Sequence, residues 1–437
     1  MNPKLSVATG WLLIASILLS LYTNIDPDFA GYWAGIPIWI CAILFFPHLK
    51  ASQKKQVSIV GSFGIAALVF SVWHGIDSKY LLQALEGNQK VIAMLISVGF
   101  LKVVLRQTVK SGQKFPTGGK AISSTMLSTH LFGSVLNVSS VIIVGDKLLA
   151  NQPDNRSLSP LQNLLLLRAF ATCSAWSPFF AAMGLTLISV PGTQLGVLVF
   201  YGLVVAIIAL LFTAWEISRS PEAASMQGYP MAVHSLWIPS LLAIIVLIAH
   251  YTVPNLSVLT IVTITSLLFS TLWLMVTLGP KGIQATKQHI EYGIPESKSE
   301  VALFVCAALL ASGIAALLVS LDLNVAPEHF GPFAASVTIL VIIALAMAGM
   351  HPVTSIILIG SILAPTVSDP NLLGLALLMG CSIGIALSPF SGVQLTIQNR
   401  YDISPITLLK MNKHYAIVMY PVCCLTLWVY SIQVGLH

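Results

Sequence analysis

The sequence predicts an all-α polytopic membrane protein, and three observations carry this prediction. Of its 437 residues, 56% are hydrophobic and only 8% are charged, whereas a soluble domain carries about 25% charged residues. The mean hydropathy is +0.88. Long apolar segments recur along the chain, at lengths near the roughly 20 residues that a bilayer-spanning helix needs. Together these observations exclude an ordinary soluble enzyme.

Eleven segments are long and apolar enough to be spanning helices, the first of them taken as a retained helix rather than a signal peptide. They lie at about residues 8–23, 32–47, 58–74, 90–106, 161–189, 194–215, 234–251, 256–278, 300–320, 370–396 and 413–434. Two further apolar stretches, 119–150 and 331–366, are each too long for one helix and are interrupted by small and polar residues. We predict two re-entrant hairpins whose tips line a site, because irregular backbone at membrane depth needs protein or a water-filled cavity around it.

The charge of the loops predicts the orientation of the chain. With a cytoplasmic N-terminus, seventeen lysines and arginines, among them Lys110 and Arg156, face the cytoplasm, and only Lys79 and Lys90 face outside. The net charge of +6 is spread singly between apolar runs, which indicates positive-inside topology rather than nucleic-acid binding. We therefore expect an integral protein of the bacterial cytoplasmic (inner) membrane, with the N-terminus inside and the C-terminus outside.

The two hairpins and the helices after them are similar in sequence. Residues 139–145 align with 354–360 at an offset of 215, and a Ser-Pro-Phe tripeptide occurs at 177–179 and again, 211 residues later, at 388–390. In the predicted topology the two copies enter the membrane from opposite sides. The pattern is that of an inverted-topology repeat, which is typical of secondary transporters.

The prolines of these tripeptides predict a break in each helix. Pro178 and Pro389 each remove a backbone donor and clash with the preceding turn. Because half-helix ends attract ions, each break and its hairpin tip are predicted to form part of an ion and substrate site. The backbone oxygens predicted to bind a sodium ion are those of Cys173, Ser174, Gly384 and Ala386.

Polar side chains at the tips and breaks are the candidate ligands. Those predicted to bind the substrate are Asn137, Ser139, Ser140, Arg168, Ser177, His351, Thr354, Ser355 and Ser388. Those predicted to couple an ion are Asn137, Ser139, Asp146, Thr354 and Ser388. Hard oxygens suit sodium, whereas a histidine, with an unperturbed pKa of about 6.5, suits protons. Sodium and proton coupling both stay open.

Ionisable side chains in predicted spans are functional candidates, because they are costly to hold in a membrane. Arg168 lies nine residues before Ser177, which is about two and a half helical turns from the break. It either holds an anionic substrate or snorkels to the cytoplasmic surface. Asp146, on the exit arm of the first hairpin, is predicted either to pair with Arg168 or to be solvated.

One pentapeptide matches an enzyme motif. Residues 380–384 read Gly-Cys-Ser-Ile-Gly, which fits the G-x-S-x-G nucleophile elbow of hydrolases. That elbow requires a strand-to-helix turn, whereas an apolar helix is predicted here. The sequence has neither an H-E-x-x-H zinc motif nor a phosphate-binding loop. We therefore expect a non-enzyme without a cofactor, with sodium as a candidate coupling ion.

The whole pattern resembles the ion transporter superfamily, and within it most nearly the divalent anion:sodium symporter family. The resemblance covers nearly the whole chain in topology, with eleven helices and two opposed hairpins. In that family a Ser-Asn-Thr motif marks each hairpin tip. Here the tips read Leu-Asn-Val-Ser-Ser at 136–140 and His-Pro-Val-Thr-Ser at 351–355, so Asn137 matches the asparagine of the motif.

The resemblance implies an elevator-type secondary transporter that acts as a homodimer in the lipid bilayer and moves a small anionic, carboxylate-type solute. It implies a scaffold of residues 1–115 (helices 1–4) and 217–330 (helices 7–9). It implies a transport part of residues 116–216 (first hairpin, helices 5–6) and 331–437 (second hairpin, helices 10–11). The same superfamily also contains ion antiporters and inorganic oxyanion or metalloid efflux proteins, which are alternative functions for this chain. An intramembrane hydrolase is a further alternative from a different class.

Overall fold

The structure is a computed structural model, and it describes residues 1–108, 114–152, 157–231, 237–323, 325, 327 and 329–436. Lys110 and Arg156, two of the charges that were used to predict the topology, lie outside the described residues. Helices account for nearly all of the regular structure, and the described part of the chain contains no β-strand. The predicted all-α class is confirmed.

Twenty α-helices are found in the described residues. The first eleven are Pro3–Tyr22 (α1), Tyr32–Phe45 (α2), Ala51–Trp73 (α3), Lys79–Glu86 (α4), Gln89–Gly99 (α5), Leu101–Thr108 (α6), Gly118–Leu136 (α7), Ser139–Leu149 (α8), Pro160–Ala171 (α9), Ala181–Ser189 (α10) and Leu195–Ser218 (α11). The other nine are Trp237–Thr252 (α12), Val258–Leu278 (α13), Pro280–Gln288 (α14), Lys298–Ser320 (α15), Pro332–Met347 (α16), Pro352–Leu363 (α17), Pro370–Leu387 (α18), Gly392–Tyr401 (α19) and Pro405–Val434 (α20).

Eight helical segments of the described chain are long and apolar enough to cross a membrane. They are Pro3–Tyr22, Ala51–Trp73, Lys79–Val104, Leu195–Ser218, Val258–Leu278, Pro280–Ser320, Pro370–Tyr401 and Pro405–Val434. Shorter apolar helices include α2, α16 and α17. The chain is therefore an integral membrane protein. Length and composition give eight spans, so the number eleven stays a prediction.

Local sequence explains where several of these helices begin. Ser159 precedes α9 and forms a capping box, since its hydroxyl accepts from the Gln162 N–H at 3.2 Å and the Gln162 side chain accepts from the Ser159 N–H at 2.9 Å. Asp369 caps α18 by accepting from the Leu372 N–H at 2.9 Å. Proline occupies the first position of both helices, where its missing N–H costs no hydrogen bond.

The chain divides into two compact units. Unit 1 consists of Met1–Gln107, Ile244–Ala326 and Ile357–Pro365, and unit 2 consists of Thr108–Ala243, Pro327–Ile356 and Thr366–His437. The scaffold of residues 1–115 and 217–330 and the transport part of residues 116–216 and 331–437 stay predictions.

In unit 1, small residues let the helices approach closely. α3 packs along α15 and α5 packs along α13. A side chain at Gly64 would collide with the backbone of Leu309 and Leu310, and one at Gly35 would collide with the backbone of Leu85. Such contacts between backbones are a usual way to join helices in a membrane.

In unit 2, the two copies of the repeat pack in the same pairwise pattern. α7 packs against α9 and α11, and α16 packs against α18 and α20. α18 is the most enclosed helix, and each of residues 372–387 is buried. The second broken helix therefore passes through the centre of unit 2, where the candidate site residues lie.

Candidate functional site

Both Ser-Pro-Phe tripeptides interrupt a helix, as predicted. After α9 the chain forms a 3-10 turn at Thr172–Ala175, passes Pro178 and resumes as α10. In the second copy, Pro389 separates the end of α18 from the start of α19. Because a proline has no N–H to continue the helical ladder, the break falls at the same place in both copies.

The serine of each tripeptide caps the chain beyond the proline. Ser177 Oγ accepts from the Phe179 N–H at 3.2 Å, and Ser388 Oγ accepts from the Phe390 N–H at 3.3 Å. The N–H of each serine donates to the carbonyl four residues earlier. Both serine side chains are buried. The two breaks thus share one hydrogen-bond pattern at positions 211 residues apart.

Ser382 joins the two broken helices. Its hydroxyl donates to the Ala171 carbonyl at 3.0 Å, and the two residues are 211 apart, the same offset that relates the breaks. Ser382 is the serine of the G-x-S-x-G pentapeptide, which lies inside α18. The strand-to-helix turn of a nucleophile elbow does not occur at this pentapeptide.

The first hairpin tip contacts the first break. Asn137 separates α7 from α8 with φ of 53°, and its side-chain amide donates to the Phe179 carbonyl at 3.3 Å. Ser177 Oγ donates to the Ser134 carbonyl, and Ser140 Oγ donates to the Asn137 carbonyl at 2.9 Å. We call Asn137, Ser139, Ser140 and Ser177 the first half-site.

The second hairpin tip contacts the second break. Gly349, with φ of 107°, lies against the Phe390 ring, and Pro352 lies beside Gly384 of α18. Such a φ favours glycine, which explains the tight turn after α16. Each hairpin tip therefore contacts the break of its own copy, as the sequence predicts. We call His351, Thr354, Ser355, Ser388 and Gln394 the second half-site.

His351 lies at the start of α17 and caps it. Its Nδ1 accepts from the Val353 N–H at 3.3 Å, and its carbonyl accepts from the Thr354 N–H at 2.8 Å. Because Nδ1 is an acceptor, the proton of the neutral ring is on Nε2. Nε2 lies near Gly392, the first residue of α19. The imidazole thus directs a donor toward the second break.

Three side-chain oxygens of the second half-site are buried without a hydrogen-bond partner. They are Thr354 Oγ1, Ser355 Oγ and Gln394 Oε1. Gln394 was not among the residues singled out from the sequence. Its amide nitrogen donates to the Ala386 carbonyl at 2.7 Å, so its oxygen is held in the break. The sequence offered one signal for Gln394, which is a polar residue in an apolar stretch, three positions after Ser391.

The four carbonyls predicted to bind sodium lie at the breaks. The Cys173 carbonyl accepts from the Ser177 N–H at 3.0 Å, and the Gly384 carbonyl accepts from the Ser388 N–H at 2.8 Å. The Ala386 carbonyl accepts from Gln394. Ser174 lies in the 3-10 turn after α9. A carbonyl has two lone pairs, so these oxygens keep capacity for an ion, and their role stays a prediction.

Arg168 is enclosed by protein rather than directed at a tip. Its Nε donates to Asn412 Oδ1 and its Nη2 to the Met411 carbonyl, both at 2.9 Å, and its Nη1 pairs with the Glu216 carboxylate. The guanidinium lies 4.7 Å from the centre of the Tyr415 ring. The side chain is fully buried, so it does not snorkel. Arg168 ties α9 to α11 and α20, which favours a structural role.

Asp146 pairs with Arg400, so the predicted pairing with Arg168 is wrong. Both carboxylate oxygens of Asp146 accept from the Arg400 guanidinium at 2.5 Å, and the Tyr401 hydroxyl donates to the same carboxylate at 3.2 Å. The physical reason is helix placement, since α8 packs against α19. This bidentate pair holds the exit arm of the first hairpin to the helix that follows the second break.

His130 fixes the entry arm of the first hairpin. Its Nε2 accepts from the Trp176 indole N–H at 3.1 Å, and its Nδ1 lies 3.0 Å from the Ala169 carbonyl. An indole nitrogen is only a donor, so Nδ1 carries the proton and donates to Ala169. Both ring nitrogens are used in joining α7 to the first break.

Comparisons with known proteins give a fold but no family. No protein-family model matches the chain, and no curated protein matches it. Among solved structures, its fold is similar to that of the YdaH transporter from Alcanivorax borkumensis, a protein of unusual topology. The TM-score is 0.59 over 87% of this chain and 98% of that chain, at 14% sequence identity. The similarity therefore concerns the fold.

Proposed function

We propose that this chain is a secondary active transporter of a small anionic, carboxylate-type solute. The observation that carries the proposal is the pair of half-sites in unit 2, each formed by a hairpin tip on a proline-broken helix. Irregular backbone of this kind inside a membrane protein lines substrate and ion sites. The similarity in fold to a transporter of known structure supports it.

The proposed mechanism is alternating access of elevator type by a homodimer, built on an inverted repeat. The shared hydrogen bonds at Ser177 and Ser388 support the repeat. So does the contact between Ala171 and Ser382, where we place its two-fold axis. Two copies of one motif around an axis give a site that each side of the membrane can reach in turn.

Helix N-termini and one histidine support an anionic solute. α8 and α17 begin at the two tips, and α10 and α19 begin just after the two breaks. The N-terminus of a helix carries free N–H donors and a partial positive charge, which favours anions. The Nε2–H of His351 adds a donor at the second break. Arg168, which is held by Glu216, then serves the structure and not the solute.

We place the coupling cation, with sodium as the first choice, at the second half-site, beside the C-terminal end of α18, because the carbonyl end of a helix carries a partial negative charge. Thr354, Ser355 and Gln394 contribute buried oxygens without a partner, and an unpartnered buried oxygen is costly unless something binds it. Neutral oxygens are suitable ligands for a hard cation such as sodium. The Ser388 hydroxyl lies at the same break and completes the proposed set.

Transport by purified protein in proteoliposomes tests the proposal. Mono- and dicarboxylates and inorganic oxyanions are offered with an inward sodium gradient or an inward proton gradient. We expect carboxylate uptake that needs sodium and that also occurs as counterflow. Thr354→Val should abolish the sodium dependence, whereas Thr338→Val, whose hydroxyl bonds within α16 at 2.9 Å, should not.

Two results would overturn parts of the proposal. Uptake that does not depend on sodium and stops when the proton gradient is collapsed would show that the coupling ion is the proton and not sodium. Conversion of a solute to a product without any gradient would contradict transport as the function.

A further inference from the structure

Unit 1 contains a polar cavity of its own. Its volume is about 390 Å³, and its polar lining includes Lys102 on α6, Gln288 at the end of α14, and His289, Tyr292 and Glu296 in the segment between α14 and α15. None of these residues belongs to either half-site. The cavity therefore needs an explanation other than the proposed transport.

The cavity lies where one helix changes its geometry. α14 passes into a π-helical turn at His289–Gly293 and then into a 3-10 turn before α15. A side chain at position 293 would meet the His289 imidazole, which would then have to shift. π-helical turns are rare and occur frequently at functional sites.

α1 holds this turn in place from the other side. Ser6 Oγ donates to the Glu291 carbonyl at 2.7 Å. At Gly10 there is no room for a side chain, because the Ile290 carbonyl lies against it. The ring of His289 also packs edge-on against Phe100, with centroids 4.6 Å apart. The turn is thus held by α1 and by Phe100, so the position of the cavity lining is fixed by packing within unit 1.

The cavity carries one positive and one negative group side by side. Lys102 Nζ lies 3.0 Å from Glu296 Oε2, and the two side chains are 19% and 66% exposed. A ligand with a single charge would leave one of these groups facing a like charge. A ligand that carries both charges can place each against its opposite. Gln288 adds an amide that both donates and accepts.

One residue of the cavity lining has the character of a membrane interface. Tyr292 is 49% exposed, and Ile283, on the same helix as Ala285 and Gln288 of the lining, is 58% exposed. Tyrosines are enriched at the boundary between hydrocarbon and headgroups. In an integral membrane protein, a cavity with such a residue in its lining is a candidate position for a phospholipid headgroup.

We propose that this cavity binds the headgroup of a zwitterionic phospholipid with a primary ammonium, of the phosphoethanolamine type. Lys102 contacts the phosphate, and the ammonium donates to the Glu296 carboxylate and the Gln288 side-chain oxygen. A trimethylammonium has no N–H to donate, and an anionic headgroup without an ammonium would repel Glu296. The cavity therefore distinguishes among three common headgroups, and this inference is independent of the proposed transport.

Lipid titration of the purified full chain in detergent, read by native mass spectrometry, tests the inference. Phosphatidylethanolamine, phosphatidylcholine and phosphatidylglycerol with identical acyl chains are compared. We expect the first to bind about tenfold more tightly than the other two, the effect of one charge-assisted hydrogen bond. Equal binding of the three lipids by the wild-type protein would overturn the inference without any variant.

Variants locate the binding. Glu296→Gln should remove the preference, because it removes the carboxylate that accepts from the ammonium. Lys102→Gln should weaken the binding of all three lipids, because each carries the phosphate, and Lys102→Arg should keep most of the binding. Lys287→Gln is the matched control, because Lys287 lies on α14 and pairs with Glu291 at 3.8 Å, outside the cavity lining. A preference that survives Glu296→Gln contradicts the assignment.

Soluble phosphoethanolamine separates a lipid site from a site for a free solute. We expect it to displace the bound lipid only at concentrations at least about a hundredfold higher, because the acyl chains contribute to binding. Displacement at an equal concentration would show that the cavity recognises a free zwitterion, and the lipid would be the wrong ligand.

Discussion

In the first half-site, Asn137, Ser140 and Ser177 each donate a hydrogen bond to a backbone carbonyl. In the second half-site, the hydroxyls of Thr354 and Ser355 are buried without a partner. The backbone is repeated, with a hairpin tip on a proline break in both places, but the polar side chains are used differently. The comparison teaches that a repeated backbone need not repeat its hydrogen bonds: the side chains of the first half-site bond to the backbone, whereas the second half-site keeps oxygens available for a ligand.

The largest expected effect is on stability and concerns Arg168, which anchors the helix that leads to the first break. Arg168→Met should lower the free energy of unfolding by about 1.5–3 kcal/mol, because it removes the charge-assisted hydrogen bonds of a buried guanidinium and leaves polar partners on α20 unmatched. The Glu216 carboxylate is 24% exposed and keeps His414 as a partner. Thermal unfolding in detergent measures this, with the exposed Arg219→Met as a control. A folded, stable Arg168 variant that has lost substrate affinity would instead restore the substrate role expected from the sequence.

The next effect concerns the strained residue of the first tip. Asn137 has φ of 53° and ψ of −141°, a conformation that glycine adopts more readily than other residues. Asn137→Ala should cost about 1–3 kcal/mol of unfolding free energy relative to Asn137→Gly. Both variants lose the bond to Phe179, so their difference isolates the backbone. Equal melting temperatures for the two variants would show that the tip is not strained.

A smaller effect is expected at His351 in the second half-site. His351→Asn keeps an acceptor for the Val353 N–H, as capping requires, but removes the Nε2 donor. We expect unchanged thermal stability and a two- to tenfold higher KM for the solute, the effect of about 0.5–1.5 kcal/mol from one hydrogen bond. Complete loss of proton-driven uptake in this variant would mean that His351 carries the coupling proton.

The hairpins and breaks could be predicted from the sequence because their signals are local. Pro178 and Pro389 act on their own helices, and the small residues around Asn137 and Gly349 permit the turns between hairpin arms. Each of these features also occurs twice at nearly one offset, which distinguishes it from a chance pattern.

The partners of charged and amide side chains could not be predicted in the same way. Arg168 pairs with Glu216, 48 residues away, and bonds to Asn412, 244 residues away. Asp146 pairs with Arg400, 254 residues away. Such pairs depend on which helices pack together, which a single sequence does not specify. Gln394 was missed because its position in the first copy is occupied by Met183, so the repeat gave no signal there.

The assignment of the cation to the second half-site is tested most directly by one matched pair of variants. The measurement is the change in their thermal stability when sodium is added. Ser140 and Ser355 are equivalent in the repeat and both buried. Sodium at about 100 times its Kd should stabilise the wild-type protein by about 2.7 kcal/mol relative to choline. Ser140→Ala should lower the baseline stability by about 0.5–1.5 kcal/mol and keep the sodium effect.

Ser355→Ala should change the baseline little, because the hydroxyl has no protein partner to lose, and it should remove most of the sodium effect. The opposite outcome, with sodium stabilisation lost in Ser140→Ala and intact in Ser355→Ala, would contradict the assignment of the cation to the second half-site.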